Sequence, residues 1–371
     1  MTKEEETSAD RRDFLKVTAG GVATVLAGTT VLGGQQSATA AFTVPDTLRI
    51  DVHGHYYPTE YLDMLDSFGG GGTGTIIARK APMPGGSGSP AELKARFQMM
   101  DRAGVQMMVL SAAPQLPYFE NKQHAITAAR FINDAYADIV RRHPDRFVAY
   151  AATPLPHVDA SIEEMGRALD DLGMVGVTMG TSVLCRSVAD PAFDPYWEEL
   201  NRRGVILFFH PHGIGACSVL VKAYNLTWPI GATIEDTALA AHLIAKEIPS
   251  RYPNVRIIVP HLGGEISMLM QRLDNQFGMF MPRGAEKPSV TAKRFWYDTV
   301  SHAYVPALRC ACDAFGPERM LLGSDYPYEV GDIYQQCVDY VGDVGLTARQ
   351  VEAILDRNAQ SLFRLVPKQP V

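Results

Sequence analysis

Little in this sequence of 371 residues suggests a disulfide-bonded, disordered or nucleic-acid-binding protein. It has only five cysteines, an odd number, so the sequence indicates no disulfide framework. Basic residues do not predominate, since 34 Lys and Arg stand against 41 Asp and Glu and give a formal net charge of -7. Proteins that bind a phosphate backbone usually carry a basic face, so no nucleic-acid partner is expected. With 46% hydrophobic residues, the chain is also too apolar for disorder.

Long apolar runs are scarce as well, and the one near the N-terminus, residues 17–32, is diluted by glycine. A lasting membrane span needs about 20 apolar residues, so no stable span is expected in the mature chain. The run follows Arg11-Arg12-Asp13-Phe14-Leu15-Lys16 and precedes Ala38-Thr39-Ala40, a small-residue cleavage pattern. This arrangement resembles the twin-arginine export signal. The resemblance implies that residues 1–40 are a signal peptide and that the folded protein is exported to the periplasm or the extracellular space.

Beyond residue 45, short β-branched runs alternate with longer amphipathic segments. The predicted strands are residues 48–53, 106–111, 147–153, 175–180, 205–210, 255–261, 295–300 and 320–324. Most are nearly continuous apolar runs, which is typical of strands buried on both faces of a parallel sheet. Eight such units predict one α/β domain, a (β/α)8 TIM barrel, over residues 41–371. A doubly wound open sheet is the alternative, although no Gly-x-Gly-x-x-Gly turn follows the first strand.

Polar side chains stand at the ends of four predicted strands. They are Asp51, His53 and His55 at the first strand, His210 at the fifth, His261 at the sixth and Asp325 at the eighth. Alternate residues of a strand share a face, so Asp51, His53 and His55 are expected to point together. The strand ends of a barrel meet at one rim, and imidazoles and carboxylates are ligands of divalent ions. The sequence therefore predicts a metal site at this rim.

The motifs around these residues resemble one family. They are Ile50-Asp51-Val52-His53-Gly54-His55, His210-Pro211, His261-Leu262-Gly263-Gly264 and Gly323-Ser324-Asp325-Tyr326-Pro327. They are similar to the amidohydrolase superfamily, in particular to the branch of aminocarboxymuconate semialdehyde decarboxylase and related aromatic-acid decarboxylases. The resemblance spans about residues 48–365, nearly all of the mature chain.

The resemblance assigns roles to individual residues. It implies that His53, His55, His210 and Asp325 bind one divalent metal ion, with zinc expected and manganese as the alternative. Asp51 matches a position that is a further ligand in some members and a support behind the ligands in others. His261 and Asp325 are the implied catalytic residues.

Three further residues are expected to contact the substrate. Arg272 matches an arginine that holds a substrate carboxylate, with a helix-surface salt bridge as the alternative. Arg79, in a glycine-rich segment that aligns less securely, is a second such clamp. His212 stands where the branch has an aromatic residue, and either reaches the substrate or lies in solvent. His302, after the seventh strand, either faces the substrate or makes a hydrogen bond at the rim.

The implied activity is a metal-dependent carboxy-lyase acting on a small aromatic or conjugated carboxylic acid, with Asp325 or His261 protonating the carbon that loses CO2. The alternative is a hydrolase of a lactone, ester or amide, in which a metal-activated water attacks, Asp325 takes its proton and His261 stabilises the oxyanion. A third hypothesis is a metal-binding protein without activity. Many relatives form dimers, which implies a homodimer that the composition does not test.

Overall fold

The structure is a computed structural model that describes residues 48–70, 75–82, 86–213 and 218–365. The predicted signal peptide lies outside these residues and stays a prediction. The strands are β1 Ile50–His55, β2 Met107–Ser111, β3 Phe147–Ala152, β4 Gly176–Gly180, β5 Ser182–Val183, β6 Arg186–Ser187, β7 Ile206–His210, β8 Arg256–Val259, β9 Trp296–Asp298 and β10 Met320–Leu321.

The helices follow and separate these strands. They are α1 Thr59–Ser67, α2 Ile76–Arg79, α3 Pro90–Arg102, α4 Lys122–Arg142, α5 Val158–Gly166, α6 Asp194–Arg203, α7 Val219–Lys222, α8 Ala232–Ala245, α9 Ile248–Arg251, α10 Ile266–Gln276, α11 Pro288–Ala292, α12 Val305–Phe315, α13 Asp332–Asp339, α14 Ala348–Glu352 and α15 Asn358–Phe363. In the part of the chain that the structure describes, none of the helices has the length and apolar content to cross a membrane.

Eight strands form a parallel barrel, as the sequence predicts. They pair in the order β1-β2-β3-β4-β7-β8-β9-β10, while β5 and β6 form a small antiparallel hairpin beside the sheet. Backbone hydrogen bonds join the segment after β10 to β1: the Val52 N–H donates to the Leu322 carbonyl, and the Asp325 N–H to the His53 carbonyl, both at 2.9 Å. The ring is thus nearly closed, and its strand ends face one rim.

Two apolar layers account for the buried strands. One fills the barrel interior and includes Ile50, Val52, Val109, Phe208 and Ile258. The other lies between the strands and the surrounding helices. Helix α4 shows how the helices cover the sheet: Asn121 caps its first turn, Arg141 and Arg142 end it, and its buried residues recur at helical spacing. The barrel is therefore covered on both sides, which is why its strands are continuously apolar.

The first strand departs from regular alternation in a way that matters for the site. Between Asp51 and Gly54 the pairing of β1 with β2 shifts by one residue, which is a β-bulge. Ile50 and Val52 belong to the interior cluster, so Asp51 points away from it, toward Tyr334 of α13. The expectation that Asp51 shares a face with His53 and His55 is therefore wrong, because the bulge interrupts the period of two residues.

Candidate active site

Four histidines and one aspartate meet at the C-terminal rim of the barrel. The Asp325 Oδ1 atom lies 2.8 Å from His55 Nε2, 3.2 Å from His53 Nε2 and 3.8 Å from His210 Nε2. The Asp325 Oδ2 atom lies 3.9 Å from His261 Nε2. In four of these residues, His53, His210, His261 and Asp325, one ligand atom each lies within 4.8 Å of the others. The strand ends thus bring together the predicted metal-binding and catalytic residues.

Two of the histidines are fixed so that one nitrogen faces the cluster. His53 Nδ1 lies 2.7 Å from the Asp298 Oδ2 atom, and His210 Nδ1 lies 2.5 Å from the Pro211 carbonyl oxygen. Their Nε2 atoms are buried and have no hydrogen-bond partner among the described residues. Buried polar atoms are rarely left unpaired, and a metal-binding imidazole typically donates through its other nitrogen in this way. The residues present therefore fit a divalent metal ion.

The ionisable side chains of the cluster shift one another's pKa values. Burial lowers the pKa of His53, but the carboxylates of Asp298 and Asp325 outweigh it and raise that pKa to about 9. The neighbouring His55 has the opposite shift, since burial lowers its pKa to about 4. Burial acts against the charged form of Asp325, yet the histidines around it, His53 first, hold its pKa well below the usual value. The cluster thus keeps a buried negative charge among nitrogen atoms.

His261 is held in a separate way from the other histidines. It follows β8 in a tight turn, where His261 and Leu262 have left-handed φ values of 50° and 57°. Asp298 accepts a hydrogen bond from its backbone N–H at 2.8 Å, and Asp236 of α8 lies 2.8 Å from its Nδ1 atom. Burial opposes the charged imidazole, but Asp236 raises the pKa of His261 well above its usual value. Asp236 therefore orients the ring so that the His261 Nε2 atom faces Asp325.

Asp51 supports the cluster from outside it. Its side chain is fully buried and accepts hydrogen bonds from the backbone N–H groups of His53 and Ser324 at 3.1 Å, from the Ser324 hydroxyl and from Tyr334 at 3.2 Å. Burial raises the pKa of Asp51 to about 6 despite these bonds. Its carboxylate thus ties β1 to the segment that carries Asp325 and is occupied by protein donors.

A cavity of about 850 Å³ opens beside the cluster. His210, His261 and Asp325 form part of its wall, and most of the rest is apolar or aromatic, including Trp228 and Tyr328. Binding sites for small molecules are typically concave, mostly apolar and supplied with a few convergent polar groups. The arrangement can accommodate a flat apolar molecule with one polar end at the cluster.

Three residues predicted to contact the substrate lie outside the described cavity lining, and their contact with substrate stays a prediction. Arg79 is exposed, and its guanidinium is engaged by Asp63 at 2.8 Å and Asp66 at 2.7 Å. Arg272 is exposed on α10. Neither arginine is among the described residues that line the cavity.

The third residue is buried rather than facing the cavity. His212 Nε2 lies 2.9 Å from the Ser182 carbonyl oxygen, and the His212 backbone N–H donates to Glu235 at 3.1 Å. Its ring thus packs against the β5 segment, and it too is absent from the described cavity lining. The structure places His212 in the packing, with its ring nitrogen bonded to the chain, and its contact with substrate stays a prediction.

Sequence reasoning missed the residues that orient the histidines. Asp298 ends β9, so the strand-end rule that selected the other residues could have found it. Asp236 lies inside α8, where nothing in the sequence distinguishes a carboxylate that faces the barrel from one that faces solvent. Glu329, which contacts His302, lies in a loop and has no sequence motif of its own.

Comparison with known proteins gives one family. A family model described as Amidohydrolase matches residues 50–365. Among curated proteins, 2-amino-3-carboxymuconate-6-semialdehyde decarboxylase of Dictyostelium discoideum is 26% identical over 87% of this chain and 93% of its own length. Gamma-resorcylate decarboxylase of Rhizobium sp. is 29% identical over 73% of this chain and 86% of its own.

Solved structures share the fold. The 5-carboxyvanillate decarboxylase of Sphingomonas paucimobilis superposes with a TM-score of 0.75 at 23% identity, covering 86% of this chain and 100% of that one. A dihydroxybenzoic acid decarboxylase from Polaromonas sp., solved with bound manganese and the inhibitor 2-nitroresorcinol, has a TM-score of 0.71 at 21% identity and covers 86% and 97%.

Proposed function

The chain belongs to the amidohydrolase family, and from this premise we propose that it is a metal-dependent carboxy-lyase that removes CO2 from a small aromatic or conjugated carboxylic acid. The two curated relatives described above are decarboxylases by name and align over most of this chain. The observation that carries the proposal is the meeting of His261, held by Asp236, with the histidine–aspartate cluster at the wall of an apolar cavity.

We propose one divalent ion, zinc, with manganese as the alternative. His53, His55, His210 and Asp325 would hold it, and the unpaired Nε2 atoms of His53 and His210 support this assignment. A nitrogen-rich set with one carboxylate suits zinc, whereas manganese is bound in the Polaromonas structure. When bound, the ion supplies a positive charge that attracts the substrate carboxylate and stabilises negative charge as the carbon–carbon bond breaks. The strand β4 contains no lysine that could bridge a second ion.

The remaining chemistry belongs to side chains of this chain. A carboxylate that loses CO2 leaves its bonding electron pair on the ring carbon, and that carbon must gain a proton. His261 is the proposed donor, because the Asp236 carboxylate at its Nδ1 atom favours the protonated imidazole and its Nε2 atom borders the cavity. His261 regains its proton from solvent after each turnover. The net change is an aromatic carboxylate and one proton converted to CO2 and a ring that carries hydrogen in place of the carboxylate.

The cavity walls favour an aromatic substrate. Trp228 and Tyr328 supply flat apolar surfaces, and Val300, Pro306 and Ala307 continue the lining. An apolar wall also excludes water, which strengthens the interaction between the charged groups and the substrate carboxylate. A hydrolase would need an attacking water in the same place, so the lining favours the lyase.

A product assay separates the lyase from the hydrolase. The metal-loaded protein is incubated with a panel of hydroxybenzoates and with a panel of lactones. The lyase releases CO2 and forms the decarboxylated phenol, whereas a hydrolase leaves the benzoates intact and opens the lactone ring. A protein that binds metal without activity leaves both panels unchanged while metal analysis still finds one ion per chain.

We also propose twin-arginine export and a homodimer, which rest on the sequence alone. Replacing Arg11 and Arg12 by lysine should leave the protein in the cytoplasm, while the parent chain appears outside it with a mature terminus near residue 41. Equal export of both forms would refute the assignment. Sedimentation equilibrium should give twice the chain mass if the homodimer forms.

A further inference from the structure

A second polar pair lies in the cavity wall, apart from the histidine–aspartate cluster. His302 Nδ1 lies 2.6 Å from the Glu329 Oε1 atom, and both residues line the cavity. The Glu329 side chain is buried, with 4% of its surface exposed, whereas the His302 ring is 78% exposed. A buried carboxylate is costly unless it is paired, so Glu329 favours a proton on the imidazole beside it. The pair thus places an imidazole ring, held by a buried carboxylate, at the cavity.

The backbone holds His302 in an unusual conformation. His302 and Ala303 both have left-handed φ values, 50° and 58°, and the Tyr304 N–H closes the turn on the Ser301 carbonyl at 3.0 Å. Such conformations cost free energy in residues other than glycine, and they are frequent at ligand-binding sites. The turn fixes the ring between Glu329 and the open space of the cavity.

His302 is also the sole basic side chain in the described cavity lining apart from the histidines of the cluster. The hydrogen bond that His302 donates to Glu329 raises the pKa of His302. With Nδ1 engaged by Glu329, the Nε2 N–H remains to donate to a bound molecule. Glu265, the other carboxylate outside the cluster, already accepts hydrogen bonds from Thr233 and Thr237. The cavity therefore has one additional place for an anionic oxygen.

Building on the proposed function, we infer that His302, held by Glu329, binds a second anionic oxygen substituent of the substrate, distinct from the carboxylate that is lost. The preferred substrates are then aromatic acids that carry another carboxylate or phenolate, and His302 determines this preference. His302 takes no part in bond breaking, and Glu329 is a positioning residue that orients its ring.

Binding and turnover are measured separately to test this. The probes are salicylate and three derivatives whose second carboxylate is attached para to the first, either directly or through a methylene or ethylene arm. Isothermal titration calorimetry on the full metal-loaded chain gives Kd for each acid, and CO2 release is recorded in parallel. At least one derivative should bind about fivefold more tightly than salicylate, the effect of a partly exposed ion pair.

Three variants test whether the pair of His302 and Glu329 causes the tighter binding of the derivative. In His302→Asn, which tolerates a left-handed φ, the ratio of the salicylate Kd to the derivative Kd should fall to about one. In Glu329→Gln, which keeps the shape of the side chain, the ratio should fall part of the way. In His242→Asn, a histidine on α8 outside the cavity lining, the ratio should keep its wild-type value.

The inference is overturned if no derivative binds more tightly than salicylate, or if the gain survives in His302→Asn. It is supported if the gain is lost in that variant and retained in His242→Asn. A gain in binding without CO2 from any acid would refute the proposed carboxy-lyase while supporting the role of His302. The Kd ratio thus tests the role of His302, and the CO2 measurement tests the carboxy-lyase activity separately.

Discussion

Replacing Asp298 by asparagine should weaken metal binding without removing any proposed ligand. The Asp298 side chain is fully buried, and its Oδ1 atom accepts hydrogen bonds from the backbone N–H groups of His261 at 2.8 Å and Val300 at 3.1 Å. Two donors can be satisfied only by an oxygen, so the asparagine carbonyl must stay on that side. Its NH2 group is then directed at His53 Nδ1, which has to accept a hydrogen bond.

This reversal changes the tautomer of His53. The ring proton moves to Nε2, the atom that would otherwise offer its lone pair to the ion. Loss of such a partner typically lowers metal affinity by about 10- to 100-fold, or about 1.4 to 2.7 kcal/mol. Competition against a chromophoric chelator measures the affinity for zinc and for manganese, and thermal unfolding of the metal-free chain checks that the variant folds.

Asp236→Asn is the matched control, because Asp236 is equally buried but contacts His261 instead. It should keep the metal affinity within about twofold while kcat falls by about 10- to 100-fold, the typical cost of removing the partner that orients an active-site histidine. Equal loss of metal in both variants would mean that His261 is itself a ligand. Wild-type metal affinity in Asp298→Asn would show that Asp298 does not determine which nitrogen of His53 faces the ion.

Two further predictions concern stability. Gly264 has a φ of 63° and a ψ of -133°, and an added Cβ atom would lie 2.2 Å from the Thr233 carbonyl oxygen. Gly264→Ala should therefore reduce the free energy of unfolding by about 3 kcal/mol, measured by urea denaturation. Hydrogen bonds from Arg202 and Arg203 lower the pKa of Glu199 to about 2, from an unperturbed value of 4.5. A lowered pKa stabilises the fold above the unfolded value, so Glu199→Gln should cost about 1 kcal/mol near pH 7, and the deficit should vanish as the pH falls from about 4.5 to about 2. A deficit that is constant with pH would contradict this origin.

The barrel and the cluster follow from local rules that the sequence obeys closely. Continuous apolar runs predict buried parallel strands, and helix α4 begins at Lys122 because Asn121 is a strong capping residue. The ends of parallel strands meet at one rim, so His53, His210, His261 and Asp325 could be grouped before their distances were known.

Other features depend on tertiary contacts that no local pattern encodes. The bulge in β1 reverses the face of Asp51, and an alternating sequence gives no sign of it. The glycine-rich segment after α1 contains the short helix α2, in which Arg79 pairs with Asp63 and Asp66 of the preceding helix. Asp236 and Glu329 act through residues far away in the chain, so their roles become visible only when the fold is complete.

The most direct test of the proposed carboxy-lyase is metal-dependent CO2 release from one carboxyl-labelled ortho-hydroxybenzoate. The full chain is assayed as purified, after removal of metal by a chelator, and after one equivalent of zinc or manganese is restored. We expect one labelled CO2 per phenol formed, loss of that release on chelation and its return with one ion per chain. Labelled CO2 released equally without metal would contradict the proposed activity, as would intact benzoate in every sample while a lactone is opened.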